Sequence, residues 1–198
     1  MKHAANDEAL ALIFRSARTF RKFRPDPVTP QMLMAVYDLA RLGPSSGNIC
    51  PLRIAFVVSG QAKERLKPHL DAGNVTQTMN APATAILAYD LAFYDLLPKL
   101  KPSRANAREN MLKKSPAALE YLAFQSGTLQ AGYFILAARA VGLDCGPMGG
   151  FDREGVDKAF FPDGKIKSNV LCNLGFGDEP DMRPREPRPD FDEACQIL

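Results

Sequence analysis

The sequence predicts a single α+β domain with mixed strand and helix content, on three observations. Residues 53–59 (RIAFVVS) and 83–89 (ATAILAY) are rich in β-formers and bounded by Gly, Pro or charge, the pattern of buried strands. A third such run, SNVLCNLGFG at 168–177, comes late in the chain, after a long uninterrupted helical stretch from Ser115-Pro116 to about Val141. Strands and helices alternate irregularly, so a central mixed sheet flanked by helices is expected rather than repeated strand–helix–strand units. At 198 residues the chain fits one domain, taken as 1–198, or one subunit of an intertwined assembly.

Each element has a local reason. Asp7 can cap a first helix that carries Leu10, Ile13 and Phe14 on one stripe. RTFRKF at 18–23 follows as the chain leaves that helix. Thr29-Pro30 is an N-cap and first-turn pair, Leu33, Val36, Tyr37 and Ala40 share a face, and Gly43-Pro44 stops the helix. The loop PSSGNICP at 44–51 therefore lies just past a helix end. The long helix of about 26 residues spans about 39 Å. Leu119, Leu122, Phe124, Leu129, Tyr133, Phe134, Leu136 and Ala138 make it apolar on more than one face. A helix apolar nearly all round is buried on nearly all sides, either by its own chain or by a second subunit; the small size of the chain favours the second. GLDCGPMGGF at 142–151, a short helix over 152–161 and the 168–177 strand follow. The tail MRPREPRPDF at 182–191 is too rich in proline for a compact helix or a central strand.

Composition removes several classes of function. Hydrophobic residues make up 46% and charged residues 24%, enough for a substantial core. A net charge of +3 argues against a dedicated nucleic-acid binder. The start, MKHAANDEALALIF, has acidic residues before a short apolar stretch broken by Arg15; it reads as neither signal peptide nor membrane span, and a cytoplasmic protein is expected. Cys50, Cys145, Cys172 and Cys195 form no Cys-x-x-Cys pair, and His3 and His69 have no zinc-ligand spacing, so no metal is expected. Neither the Gly-x-Gly-x-x-Gly turn nor a phosphate-binding Gly-x-x-x-x-Gly-Lys-Ser is present. With so few nucleophiles and bases grouped together, the chemistry is expected to come from a cofactor.

The order of several short motifs resembles the FMN-dependent nitroreductase family. Arg18-Thr19-Phe20-Arg21-Lys22-Phe23, with Pro27-Val28 after it, is similar to the family's Arg-Ser-x-Arg-x-Phe segment. PSSGNICP resembles its Pro-Ser-x-x-Asn-x-x-Pro loop, and AGNVTQTMNAP at 72–82 its third cofactor segment. GPMGGF at 146–151 resembles the Pro-x-x-Gly-Phe turn, and RPREP at 183–187 the C-terminal basic segment. Within the family the chain looks closest to the malonic semialdehyde reductase branch, on AYDLAFYDLLPKLKP at 88–102, GLDCGPMGGFD at 142–152, KSNVLCNLGFGD at 167–178 and the ending FDEACQIL. It departs from many members at Ala17, where a basic residue is frequent, at Cys50 (glutamine), at Leu52 (an aromatic) and at Gly149 (an acidic residue).

The resemblance implies a nitroreductase-like fold, a homodimer with the long helix at its interface, and FMN reduced by NADH or NADPH. It implies that Arg18 and Thr19 hold the phosphate and ribityl chain, with Arg183 and Arg185 closing on the phosphate. Arg21 would reach the pyrimidine edge, Asn74 and Gln77 the ring's polar edge, and Met148, Gly149 and Gly150 would bring backbone toward N5. Ser45, Ser46 and Asn48 would contact the flavin of the partner subunit. Guanidinium forks suit a phosphate dianion, and glycines let backbone approach a flat ring. No side chain is required as general acid, so no catalytic residue is named. The implied activity is ping-pong hydride transfer to a small electrophile, malonic semialdehyde to 3-hydroxypropionate in that branch, with nitroaromatics or quinones as alternative acceptors. A phosphate- or nucleotide-binding module without turnover, and a helical interaction protein, are the readings from other classes.

Residues 91–115 carry Lys99, Lys101, Arg104, Arg108, Lys113 and Lys114 against Asp95 and Glu109. Such a basic connection between a strand and the central helix can act as a lid over a cofactor or remain a solvated loop. As a lid it suits a small carboxylate, with Arg108 as the expected contact.

Overall fold

The computed structural model describes residues 4–178, 180, 182 and 184–198. Four strands, β1 (Leu52–Val57), β2 (Ala83–Asp90), β3 (Asp144–Met148) and β4 (Ile166–Gly175), form one sheet in the order β1-β2-β4-β3. All three ladders are antiparallel. The parallel component expected of a mixed sheet is a single isolated bridge, Thr19 with Cys145, at the β3 edge. β3 has the sequence DCGPM, whose Gly and Pro hide it from propensity; an edge strand tolerates Pro147 because its outer side needs no ladder donor.

The first helix differs from expectation at its cap. Asn6, not Asp7, is the N-cap and accepts from Ala9 N (2.9 Å), so Asp7 is the first residue of α1 (Asp7–Leu10). There its carboxylate meets both the helix N-terminus and Arg15 (2.8 Å). A π-turn over Ala11–Arg15 rotates the apolar stripe, leaving Phe14 exposed while Leu10 and Ile13 are half-buried. α2 (Pro30–Ala40) starts at the Thr29 cap as expected and buries Leu33, Val36 and Ala40, with Tyr37 turned to the surface. Between the strands lie α3 (Gly60–Leu66), α4 (Ala72–Asn80), α5 (Leu97–Leu100) and α6 (Ala107–Leu112). Then come the long α7 (Pro116–Ala140), α8 (Arg153–Phe160) and the one-turn α9 (Phe191–Ala194).

Both faces of the sheet are covered. Ala83, Ala85 and Leu87 of β2 pack with Leu33, Val36, Phe134 and Ala138 of α2 and α7. The intervening Ile86 packs on the other side with Leu66, Phe151, Val156 and Leu171. That two-sided burial is why ATAILAY reads as a continuous apolar run rather than an alternating one.

α7 is held close to the sheet by small side chains. Ala123, Ser126, Gly127, Gln130, Ala131, Phe134, Ala137 and Ala138 are its buried positions. A Cβ on Gly127 would lie 2.9 Å from the Tyr89 Cβ, so the helix meets β2 where only hydrogen fits. Gly43 does the same for the end of α2 against Tyr133, at 2.7 Å. One chain covers only this side of α7. Tyr121, Phe124, Leu129 and Tyr133 are 40–61% exposed on the other.

Gly127→Ala sets two effects against each other. Helix propensity favours Ala by about 1 kcal/mol, whereas overpacking against a buried strand costs about 1–3 kcal/mol. The Tyr89 Cβ is fixed to the backbone of an interior strand, so the clash is expected to win. Urea denaturation should show a net loss on the order of 1–2 kcal/mol; unchanged or raised stability would disprove the close contact.

Candidate functional site

Two groups of polar side chains lie along the β3 edge. The first is fixed by Phe20, whose N–H donates to the Cys145 carbonyl (3.0 Å) and whose ring is buried beside Phe23. With that anchor set, Arg18, Thr19 and Arg21 line a cavity of about 170 Å³ together with Asp178 and Met182. The tail returns to this place: Arg185 Nη2 donates to the Arg15 and Ala17 carbonyls, each at 2.8 Å. A guanidinium thus caps the carbonyl end of the first helix next to Arg18. Arg183 lies outside the described residues.

The second group is three residues further along β3, about 10 Å away at 3.4 Å per residue. Asn74 Nδ2 donates to the Gly150 carbonyl (2.8 Å) and Gln77 Nε2 to Asn74 Oδ1 (2.5 Å). Thr78 Oγ1 contacts the Met148 sulfur at 3.6 Å. A Cβ on Gly150 would fall 2.6 Å from an Asp71 carboxylate oxygen and 2.7 Å from Asn74 Nδ2, so any larger residue there would displace those two side chains. A Cβ on Gly149 would meet nothing within 4 Å, which leaves a stretch of open, accessible backbone.

Behind this group runs a buried polar chain that sequence reasoning missed. Thr84 Oγ1 donates to Asn173 Oδ1 (2.7 Å), and Asn173 Nδ2 donates to Thr78 Oγ1 (3.4 Å); all three residues are fully buried. The signal was present as polar letters inside the apolar runs ATAILAY and SNVLCNLGFG, since a buried polar group requires a partner. Lys63 supports α4 from its far end, donating Nζ to the Met79 carbonyl (3.2 Å) and to the Ala81 carbonyl; burial lowers its pKa. Cys145 and Cys172 are adjacent: the hydrogen bond that the Cys172 thiol makes to Cys145, together with burial, pushes its pKa well up, so it stays protonated and inert.

The third group, Ser45, Ser46 and Asn48, is elsewhere. Gly47, Asn48 and Cys50 have φ of 55°, 56° and 42°, three left-handed residues in four positions. The loop keeps this shape through internal bonds: Cys50 N donates to Ser45 Oγ (3.0 Å), and the Cys50 thiol to Asn48 Oδ1 (3.3 Å). α7 grips it at both ends. Ser126 Oγ accepts from Ser46 N (3.2 Å) and Gln130 Oε1 from Leu52 N (3.2 Å), four residues apart on one helix face. Asn48 Nδ2 donates to the Leu100 carbonyl (3.2 Å), which ties the loop to the basic 99–104 segment.

The loop leads into β1, at the opposite edge of the sheet from β3. Three strand spacings of about 4.8 Å separate those edges. One chain therefore brings Arg18, Thr19, Arg21 and Arg185 together at one end of β3, and Asn74, Gln77 and Met148–Gly150 at the other. It does not bring Ser45, Ser46 and Asn48 to either. Arg108, the expected carboxylate contact, is paired with Asp95 at 2.9 Å. Among the described residues no cluster of His, Cys, Asp and Glu could hold a metal ion, and no helix is long and apolar enough to cross a membrane.

Comparison with known proteins places this geometry. Residues 14–177 match the model of the nitroreductase family. A protein of Polynucleobacter asymbioticus that carries the name NADH dehydrogenase/NAD(P)H nitroreductase is 49% identical over 198 residues, the whole of both chains. One of the same name from Leptothrix cholodnii is 47% identical over the same span. Among solved structures, a nitroreductase of Exiguobacterium sibiricum in complex with FMN shares the fold at a TM-score of 0.84 and 20% identity, covering all of both chains. The chain belongs to the nitroreductase family.

Gln130→Met would leave the Leu52 N–H buried without an acceptor, at a cost of about 1–3 kcal/mol. Faster hydrogen exchange at the Leu52 amide, with a matching loss in chemical denaturation, is the expected result. Protection equal to wild type would show that α7 does not hold the loop.

Proposed function

We propose that the chain is one half of a homodimeric, FMN-dependent NAD(P)H oxidoreductase whose cofactor sites are completed across the interface. The observation that carries the dimer is the division of the site residues. Two groups lie along the β3 edge, the Ser45–Asn48 loop lies at the β1 edge, and α7 exposes Tyr121, Phe124, Leu129 and Tyr133. A second copy seated on that apolar face would bring its own loop toward the first copy's β3 edge.

The residues present fit FMN. The cavity at Arg18, Thr19 and Arg21, about 170 Å³, is smaller than a whole-ligand pocket and suits a phosphate head group. The open backbone at Gly149 suits a flat ring, with Asn74 and Gln77 already oriented beside it. Arg18 and Thr19 would hold the phosphate and ribityl chain, with Arg185 and Arg183 closing the site. Arg21 would stabilise negative charge at the pyrimidine edge. Met148, Gly149 and Gly150 would offer backbone to the ring, and Ser45, Ser46 and Asn48 would contact it from the partner. When bound, FMN supplies hydride uptake from NADH or NADPH and hydride delivery to a second substrate, in ping-pong order. No side chain of the chain is assigned as catalytic. We take the second substrate to be a small 3-oxoacid, malonic semialdehyde reduced to 3-hydroxypropionate, with nitroaromatics and quinones as further acceptors. A reducing, cytoplasmic setting accords with four free cysteines.

The protein should purify yellow, and acid should release FMN rather than FAD as read by chromatography. Addition of NADPH or NADH should bleach it; a flavin that both leave oxidised would return the binding-module reading. Arg18→Ala or Arg185→Ala should weaken FMN binding by about tenfold to a hundredfold, for the loss of one or two charge-assisted bonds. Unchanged affinity in both would place the phosphate elsewhere. The dimer should persist in sedimentation at about 1 μM, because separation would expose the α7 face. A stable folded monomer would refute it.

A further inference from the structure

We propose that Lys101 and Arg104 form a binding site for the carboxylate of the electron-accepting substrate, the role expected from sequence for Arg108. The proposal rests on the oxidoreductase reading above, because the site adjoins the loop assigned there to the partner's cofactor. Arg108 is already engaged: its Nε and Nη2 both reach Asp95 Oδ1 at 2.9 Å, and its guanidinium lies 5.8 Å from the Tyr94 ring centroid. Lys101 and Arg104 form no ion pair with any of the described residues.

Their placement is ordered by backbone. Lys101 N donates to the Leu97 carbonyl (2.8 Å), Arg104 N to the Lys101 carbonyl (2.9 Å) and Ala107 N to the Arg104 carbonyl (3.0 Å). The Asn48 bond to the Leu100 carbonyl fastens this turn to the Ser45–Asn48 loop. Lys101 Nζ stands over Gly47, 2.9 Å from where a Cβ would begin. Two cavities meet at this pair. One of about 390 Å³ includes Ser45, Asn48 and Ser103, and one of about 370 Å³ includes Asn106 and Asn110; Lys101 and Arg104 line both.

The lining chooses the ligand. No Asp or Glu among the described residues lines either cavity, so two cations face neutral amides and hydroxyls. A guanidinium fork grips a planar carboxylate with two parallel bonds, and an ammonium adds a point charge. The nucleotide donor's phosphate is the competing anion. Neither cavity has an aromatic ring on which an adenine could stack, and each lies at the small end of ligand-pocket sizes. A small organic acid fits both conditions.

Titration calorimetry of malonate onto the purified protein tests the site without turnover. Wild type should bind malonate, Lys101→Ala/Arg104→Ala should bind it at least about tenfold more weakly, and the exposed Lys158→Ala should match wild type. No binding by wild type, or equal binding by the double variant, would overturn the proposal. So would displacement of malonate by 2′-AMP at lower concentration than by acetate, which would assign the cations to the donor. In turnover, wild type should prefer 4-nitrobenzoate over nitrobenzene in kcat/KM, and the double variant should lose that preference. Flavin content of the same samples separates this claim from its premise. Colourless protein with Lys101- and Arg104-dependent malonate binding would refute the oxidoreductase reading and keep the anion site. Yellow, NADPH-reducible protein without that dependence would do the reverse.

Discussion

The close approach of α7 to the sheet is the constraint on which the rest of the molecule depends. Where Gly127 meets Tyr89, no side chain separates helix from strand, and the flanking Ser126 and Gln130 reach out to backbone beyond the helix. A larger residue at 127 would lift the helix and carry both acceptors away from Ser46 and Leu52. The same face puts mostly small residues, Ala123, Ser126, Gly127, Ala131, Ala137 and Ala138, against the sheet. Phe134 is the large side chain among its buried positions, while Tyr121, Phe124, Leu129 and Tyr133 remain 40–61% exposed. Close packing inward and an open apolar face outward are two consequences of one residue pattern.

The sheet distributes the candidate site by its edges. β3 is short, contains Gly146 and Pro147, and ends in the Gly149-Gly150 turn. A Cβ on Gly146 would lie 2.5 Å from the Phe20 carbonyl, so the N-terminal segment can lie directly against this strand. That contact sets Arg18 and Arg21 at one end of β3. The Asn173–Thr78 chain sets α4 at the other. An interior strand, paired on both sides, could not have accepted the backbone bond from Phe20 to Cys145.

Much of this was legible in the sequence, and the failures have physical causes. α2, α7, β1, β2 and β4 were found because caps and periodicity agreed there with tertiary packing. β3 was not, because an edge strand escapes the propensity rules that mark interior strands. The Asn6 cap was assigned to Asp7 because adjacent Asn and Asp are equivalent as caps until a backbone bond selects one. Arg18, Thr19, Arg21, Asn74, Gln77 and Met148–Gly150 are candidates from motif order, a covalent property, and the structure shows only that they lie along the β3 edge. Thr78, Thr84 and Asn173 were missed because their partners lie many residues away. Arg108 was selected over Lys101 and Arg104 for its nearness to the helix start; its pairing with Asp95, thirteen residues earlier, depends on the turn between them.

The strained loop gives the final link between packing and function. Left-handed backbone suits Gly47 and Asn48, but a β-carbon thiol such as Cys50 has no intrinsic preference for it. Such a residue costs on the order of 1 kcal/mol or more and persists only when its surroundings over-determine it. Here they do: Cys50 N, its thiol and its carbonyl are all bonded, the last by Arg53 Nη1 at 3.1 Å. Arg53 is itself fixed to Asp90 at 2.6 Å, on the strand that Gly127 contacts through Tyr89. The loop is thus held rigid by the same helix and strand that leave it at the sheet's edge. Rigid backbone at an exposed edge has no use to the core behind it. In the proposed dimer it would let the loop present Ser45, Ser46 and Asn48 in one geometry to the second copy, beside the exposed Tyr121, Phe124, Leu129 and Tyr133 of α7.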